Sequence, residues 1–405
     1  MSKGEKSTLR GGPKSRDLSS ILRGYSREAG EWPPCPLSLL PEEVLEKSME
    51  VGVVSDEGER AATYLQIDHS VVFRAVQEAF KGRVEIMSTG EAMERYKWLK
   101  EYWWGLIRAD ADEYTALAES LWDQGYFIRI LEGEKVTLPL QSCLLMSTES
   151  LNQNVHNIII AEPGSEAQII TGCAVHPNVQ SGLHVGVSEF YVKEDAELTF
   201  TMIHSWAQRV DVRPRSAAKI ENGATFISNY ICLKPVKSLQ MYPAAYCEGH
   251  DSRVRFSSIL YGVGSSRIDV GAKVVLRGEG SRGEVVSRAI ARDEAEISMR
   301  GFLIGEHDGT RAHLECRGLL LSGDAEIYAI PELLAKARGS ELSHEAAVGK
   351  IAEDQILYLM ARGFSRDEAE SLIVRGFMDV SILGLPERLS AEIKRMVNAT
   401  TLGAL

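Results

Sequence analysis

No CxxC pair occurs in the sequence, and its six cysteines (Cys35, Cys143, Cys173, Cys232, Cys247, Cys316) lie far apart. That dispersal argues against a zinc knuckle and against a disulfide framework. No apolar run approaches the roughly 18 residues that span a bilayer, so no membrane partner is expected. The first 20 residues lack the apolar segment of a secretory signal, and a cytoplasmic protein with reduced thiols is expected. Basic residues are outnumbered 45 to 57, a net charge of −12 that disfavours nucleic acid as a partner. The phosphate loop GxxxxGK[ST], the GxSxG elbow and the HExxH helix are all missing. The chain therefore does not bind ATP through that loop, and it carries neither of those two hydrolytic motifs.

What is present divides the 405 residues into segments. Residues 1–40 read as a flexible, solvated segment, with Lys3, Lys6, Arg10, Lys14, Arg16 and Arg23 among Gly and Ser and a looped EWPPCP. Residues 41–125 carry a helical period and predict an N-terminal helical domain. Pro41 followed by two acids opens PEEVLEKSMEVG; Val71, Phe73, Val76 and Phe80 space a helical face; Ser88 and Glu91 form a capping box; DEYTALAESLWDQG closes the domain. The aromatic run Tyr96, Trp98, Tyr102, Trp103 and Trp104 reads as a packing face.

From residue 126 to 335 the period is two. Short apolar strands such as NIIIAE, AQIITG, ELTFTMIHSW and HLECRGLLLSG alternate with acidic or glycine turns. The turn markers Gly164, Ala196, Gly223, Asp251 and Gly278 are 32, 27, 28 and 27 residues apart, and Ala295 and Ala325 are 30 apart. A near-constant period without intervening helices predicts a parallel β-helix; an antiparallel sandwich with long hairpins is the alternative. Residues 336–405 return to helix, with Ile356, Leu359 and Met360 on one face, a stop at Gly363, a Ser365/Glu368 capping box and a third helix in LPERLSAEIKRMVNATTL. The fold class is mainly β: a β-helix core flanked by helical domains, whose helices are expected to cover its terminal coils.

Three residues are of the types that iron sites use: a thiolate, Cys316, an imidazole, His344, and a carboxylate, Glu345. In TRAHLECRG, read as a strand, Leu314 and Cys316 point one way and His313, Glu315 and Arg317 the other. His344 and Glu345 fall in SHEAAVGK, expected as a loop before a helix. Cys173 ends a predicted strand in TGCAVHP, three residues before His176. Each has a plain alternative: an inward cysteine is usually an inert small hydrophobe, and a loop His-Glu pair is usually solvated.

The residues of NVHNIIIAEPGSEAQIITGCAVHP, ECRGLLLSGDAEIYAIPEL and SHEAAVGKIAEDQILYLMARGFSRDEAESLIVRGF resemble the SufB/SufD family of iron–sulfur cluster assembly proteins, from about residue 135 to the C-terminus. The resemblance implies a right-handed parallel β-helix whose members pair through it, as homodimer or SufB/SufD-type heterodimer. It implies a SufC-type ATPase bound at the C-terminal helices, so ATP acts only through that partner and the chain is a scaffold, not itself an enzyme. Cys316 matches the cysteine that builds the nascent cluster, Glu345 a proposed ligand, His344 an interface histidine and Cys173 a cysteine that receives sulfur. The cluster is transient cargo, taken from a sulfur donor and passed to apo-protein acceptors. Arg317-Gly318 departs from the SufB pattern, and EIYAIPEL mixes SufB and SufD features. A SufD-like partner that builds no cluster is the nearer alternative. A β-helix polysaccharide lyase is the remote one, since acids sit mostly in turns.

Overall fold

The computed structural model describes residues 18–379 together with 383, 387, 390–391, 393–395 and 397. Its body is a parallel β-solenoid of two sheets. The ten-stranded sheet runs Ser70–Val76, Ala62–Ile67, Leu140–Met146, Glu166–Val175, Glu197–Ser205, Thr225–Cys232, Arg253–Gly262, Arg282–Ala291, Arg311–Leu320, Glu341–Lys350. Every pairing after the first is parallel. The eleven-stranded sheet lies opposite and ends at Glu326–Ala335. The parallel β-helix reading therefore holds, and the sandwich does not.

One corner of seven successive coils takes a left-handed residue, and the sequence supplies glycine or aspartate there. Gly133, Gly164, Asp195, Gly223, Asp251, Gly280 and Gly309 all have φ between +52° and +76°. These positions recur with the coil, and three of the spaced turn markers, Gly164, Gly223 and Asp251, are among them. Between corners, inward residues fill the bore. Phe190 packs edge-on against Phe200 at 4.7 Å and tilted against Phe226 at 5.0 Å, and Phe226 meets Phe256 edge-on at 6.3 Å.

The region 41–125 is only partly helical, a correction to the sequence reading. Helices α1 (Glu42–Glu50), α2 (Thr89–Arg95) and α3 (Glu113–Ser120) are present, but Ser70–Val76, expected as helix, is a strand. It pairs antiparallel with Ala62–Ile67. The β-branched and aromatic residues Val71, Val72 and Phe73 satisfy either period, and the available sheet edge decides. The aromatic run leaves α2 for a 3-10 turn, Lys97–Glu101, and packs on the eleven-stranded sheet. Residues 18–40 are also placed against the solenoid: Arg27 pairs with Asp123, and Trp32 Nε1 donates to Ser147 Oγ at 3.0 Å. Residues 1–17 lie outside the described residues.

The C-terminal segment differs too. The expected loop SHEAAVGK belongs to the strand Glu341–Lys350, in register with Arg311–Leu320. Helices α4 (Glu353–Met360) and α5 (Arg366–Phe377) follow; Gly363 stands between them at φ +99°, and Ser365 and Glu368 form the capping box of α5. Most of the expected third helix lies outside the described residues. α5 does not cap the solenoid's end. Val374 and Met378 pack on the outer face of the ten-stranded sheet with Ile259, Ile290 and Leu319, in one cluster with Val44 and Val51 of the α1 region. The last coil is consequently uncovered: Tyr328, Leu333, Leu334 and Val348 are 45%, 39%, 41% and 40% exposed.

Candidate functional site

Alternation along Arg311–Leu320 sends Ala312, Leu314 and Cys316 into the bore and Glu315 outward. Cys316 is fully buried, and burial, with the Glu315 charge nearby, pushes its thiol up to about 11. At neutral pH it keeps its proton, so a metal or a base must take that proton before sulfur can coordinate. Glu315 is tied to Arg317 at 2.5 Å.

Register fixes the other two residues. His344 aligns with Leu314, so it shares the inward face with Cys316 as a diagonal neighbour on the next strand. Glu345 aligns with Glu315 and stands on the opposite face. The structure thus brings Cys316 and His344 to one face but not Glu345. Among the described residues no three His, Cys, Asp or Glu side chains are arranged to hold a metal ion. Within one copy the three-residue set is therefore incomplete.

Cys173 is also inward and buried, and burial raises its thiol far above the ordinary value. It lies five strands before Cys316 in the same sheet, about 24 Å at the ~4.8 Å spacing of neighbouring strands. Its motif has a structural cause. Gly172 faces outward, where an added Cβ would strike Val51 at the end of α1, and His176 pairs with Glu43 of α1 at 3.2 Å.

Sequence reasoning missed the residues between these two cysteines. Cys173, His204 and Cys232 are register partners on successive strands, all facing the bore. Two residues earlier in register, Tyr230, Ser258, Ser287 and Cys316 form a second inward column. The Tyr230 hydroxyl and His204 Nδ1 are 2.8 Å apart, and Ser258 Oγ donates to Ser287 Oγ at 3.0 Å. A cavity of about 40 Å³, room for a water-sized guest, is bounded by Met202, Tyr230, Ser258 and Ser287. The signal was present: His204 follows Cys173 by 31 residues and Cys232 follows His204 by 28, each one coil.

Comparison with known proteins identifies the family. The family described as SUF system FeS cluster assembly, SufBD core domain, matches residues 144–377. A Methanothermobacter thermautotrophicus protein described as an iron–sulfur cluster assembly SufBD family protein is 47% identical, over 98% of this chain and 99% of its own. One of the same description from Archaeoglobus fulgidus is 50% identical over 87% of this chain and 94% of its own. The iron–sulfur cluster assembly protein SufB of Bacillus subtilis is 27% identical over 90% and 80%. With a solenoid of the expected kind and relatives that span nearly the whole chain, the protein belongs to the SufBD family of iron–sulfur cluster assembly proteins.

Proposed function

We propose that the chain is a scaffold on which a nascent iron–sulfur cluster is built at the open end of the solenoid, between two copies or between this chain and a SufD-type partner. The observation that carries this reading is the uncapped last coil. Its two terminal strands expose apolar side chains beside the buried Cys316 and the inward His344, while Glu345 lies on the other face. A second subunit laid against these edges would shield that surface and could supply the missing ligands. Cys316, His344 and Glu345, drawn from both subunits, would then hold iron with few thiolates, a labile set suited to release.

The remaining roles follow the same reading. Cys173 receives sulfur from a donor protein, and its inward side chain means that sulfur bound for Cys316 travels inside the bore. Exposed Leu357, Tyr358 and Met360 on α4, Phe364 in the turn and Leu372 on α5 offer an apolar surface to a SufC-type ATPase. ATP chemistry belongs to that partner, and the chain itself is no enzyme. No helix among the described residues is long and apolar enough to cross a membrane, in keeping with a cytoplasmic site of work. Finished clusters pass to apo-protein acceptors.

Anaerobic reconstitution with iron and sulfide is expected to give visible charge-transfer absorption, and Cys316→Ala to remove most of it. An unchanged spectrum in that variant removes Cys316 from the site. The SufD-like reading predicts instead that the ATPase co-purifies while Cys316→Ala leaves cluster delivery intact in a complementation assay.

A further inference from the structure

Leu39 is 71% exposed, the most exposed large apolar side chain among the described residues, and it belongs neither to the open end of the solenoid nor to the α4–α5 surface. It stands in the segment 32–40, which also carries Pro33, Pro34 and Pro36. Spaced anchors hold this segment to the protein. The Trp32 backbone N–H donates to Ser70 Oγ at 3.2 Å and its indole to Ser147 Oγ, while the Cys35 N–H donates to the Val72 carbonyl at 3.0 Å. Leu37 and Leu40 are buried. Pro33, Pro34, Pro36 and Leu39 are left facing outward, all exposed.

Such a ridge is stiff. Pro36, Leu40 and Pro41 have φ between −65° and −51° and ψ between 139° and 147°, the polyproline II region that proline favours. An exposed polyproline segment beside a leucine is what an aromatic-lined groove recognises, and its order before binding spares the entropy that a flexible segment would lose. Charge supplies the rest of the partner's character. From Glu28 to Glu50 there are six glutamates and one cation, Lys47, which Glu50 holds at 2.7 Å. Glu28, Glu31, Glu42 and Glu46 are exposed, and no ion pair neutralises them among the described residues. A one-sign surface of this kind fits a basic rim.

The position of the ridge points to one occupant. Helix α1 follows it directly and lies on the strand of Cys173, with Val51 against Gly172 and Glu43 on His176 at 3.2 Å. His176 begins the corner that follows this strand, where Pro177 and Asn178 are exposed. We propose that the ridge 32–40 and the exposed glutamates of α1 form the docking surface for the persulfide-bearing sulfur donor, which meets them with an aromatic-lined groove rimmed by Lys and Arg. This rests on the reading of Cys173 as the residue that receives sulfur. The prolines and Leu39 set the fit, and Glu42 and Glu46 steer the encounter. A donor seated here lies beside the corner that leads to Cys173.

The test uses the full-length chain and a cysteine desulfurase loaded with ³⁵S-persulfide under anaerobic conditions. Two variants are compared with the wild type: Leu39→Ser, and Glu42→Lys combined with Glu46→Lys. All three positions are exposed, so melting should be unchanged. Each variant is expected to raise the Kd for the desulfurase about tenfold in low salt. The lysine variant should lose most of that difference in high salt, and Leu39→Ser should keep it. Label should reach Cys173 about tenfold more slowly at limiting donor and at the native rate at saturating donor, the mark of lost binding with intact chemistry. Native affinity and labelling in both variants overturn the docking surface and leave the receiving role of Cys173 intact. Loss of SufC-type ATPase capture in place of desulfurase capture gives the ridge to the ATPase and also overturns the proposal. A wild-type chain that binds the desulfurase through Leu39 but takes no label at Cys173 overturns the receiving role and keeps the surface.

Discussion

His184 shows how a single interior side chain reports on the state of the bore. Its Nδ1 lies 2.9 Å from Gln153 Oε1, and its ring is 5.1 Å from Trp206. Burial drives its pKa down to about 3, and His204 is depressed as well, by burial first and then by His184. Both are neutral in the folded protein. Below about pH 6.5 the unfolded chain binds protons that the folded chain does not, so this contribution is full above that pH and is lost as pH falls toward 3. Each such histidine steepens the loss by up to about 1.4 kcal/mol per pH unit. His184→Gln should flatten the pH dependence of urea-unfolding stability between pH 6 and 4 by about that slope. An unchanged slope would mean that His184 is protonated in the folded state. At this scale the sequence was partly legible. Strand alternation placed Cys316 inward correctly, but the face of Glu345 depended on a strand that SHEAAVGK did not reveal. Its small, helix-compatible residues fit a loop equally well, and only pairing with Arg311–Leu320 fixed them.

Elements with local chemistry were the most legible. The Ser365/Glu368 box, Pro41 ahead of α1 and Gly363 after α4 each stand where the sequence put them, because caps satisfy backbone groups within a few residues. Ser70–Val76 was misread because its partner, Ala62–Ile67, is a neighbour that periodicity does not register. α4 yields a prediction at this scale. Leu357 and Tyr358 are 55% and 57% exposed, so replacing them does not open the core. Leu357→Asp with Tyr358→Ala should weaken capture of a SufC-type ATPase by tenfold or more while the melting temperature stays within a degree or so. Full retention of the ATPase in a pull-down would place its docking surface elsewhere.

The whole molecule is asymmetric in how it closes. At the N-terminal end the antiparallel pairs of Ala62–Ile67 with Ser70–Val76, and of Val84–Ser88 with Tyr126–Ile130, close the bore, and Tyr64, Ile86 and Ile128 are buried there. At the other end the helices turn back along the outer sheet and leave the last strands bare. Val348 points inward at that end, packed near Gly318, and is 40% exposed. If the proposed pairing uses this end, Val348→Asp should convert the dimer to monomer in sedimentation velocity while lowering unfolding stability by no more than about 1 kcal/mol. A variant that remains dimeric would move the subunit contact away from this end.

The sequence by itself determined the repeat, the inward cysteine and the helical caps, because each depends on residues close in the chain or one coil apart. The tertiary structure alone decided which way the C-terminal helices turn, which face Glu345 occupies and that Cys173, His204 and Cys232 form one column. Those outcomes depend on register between strands about 30 residues apart and on an apolar outer face competing with the solenoid's end for the same helices.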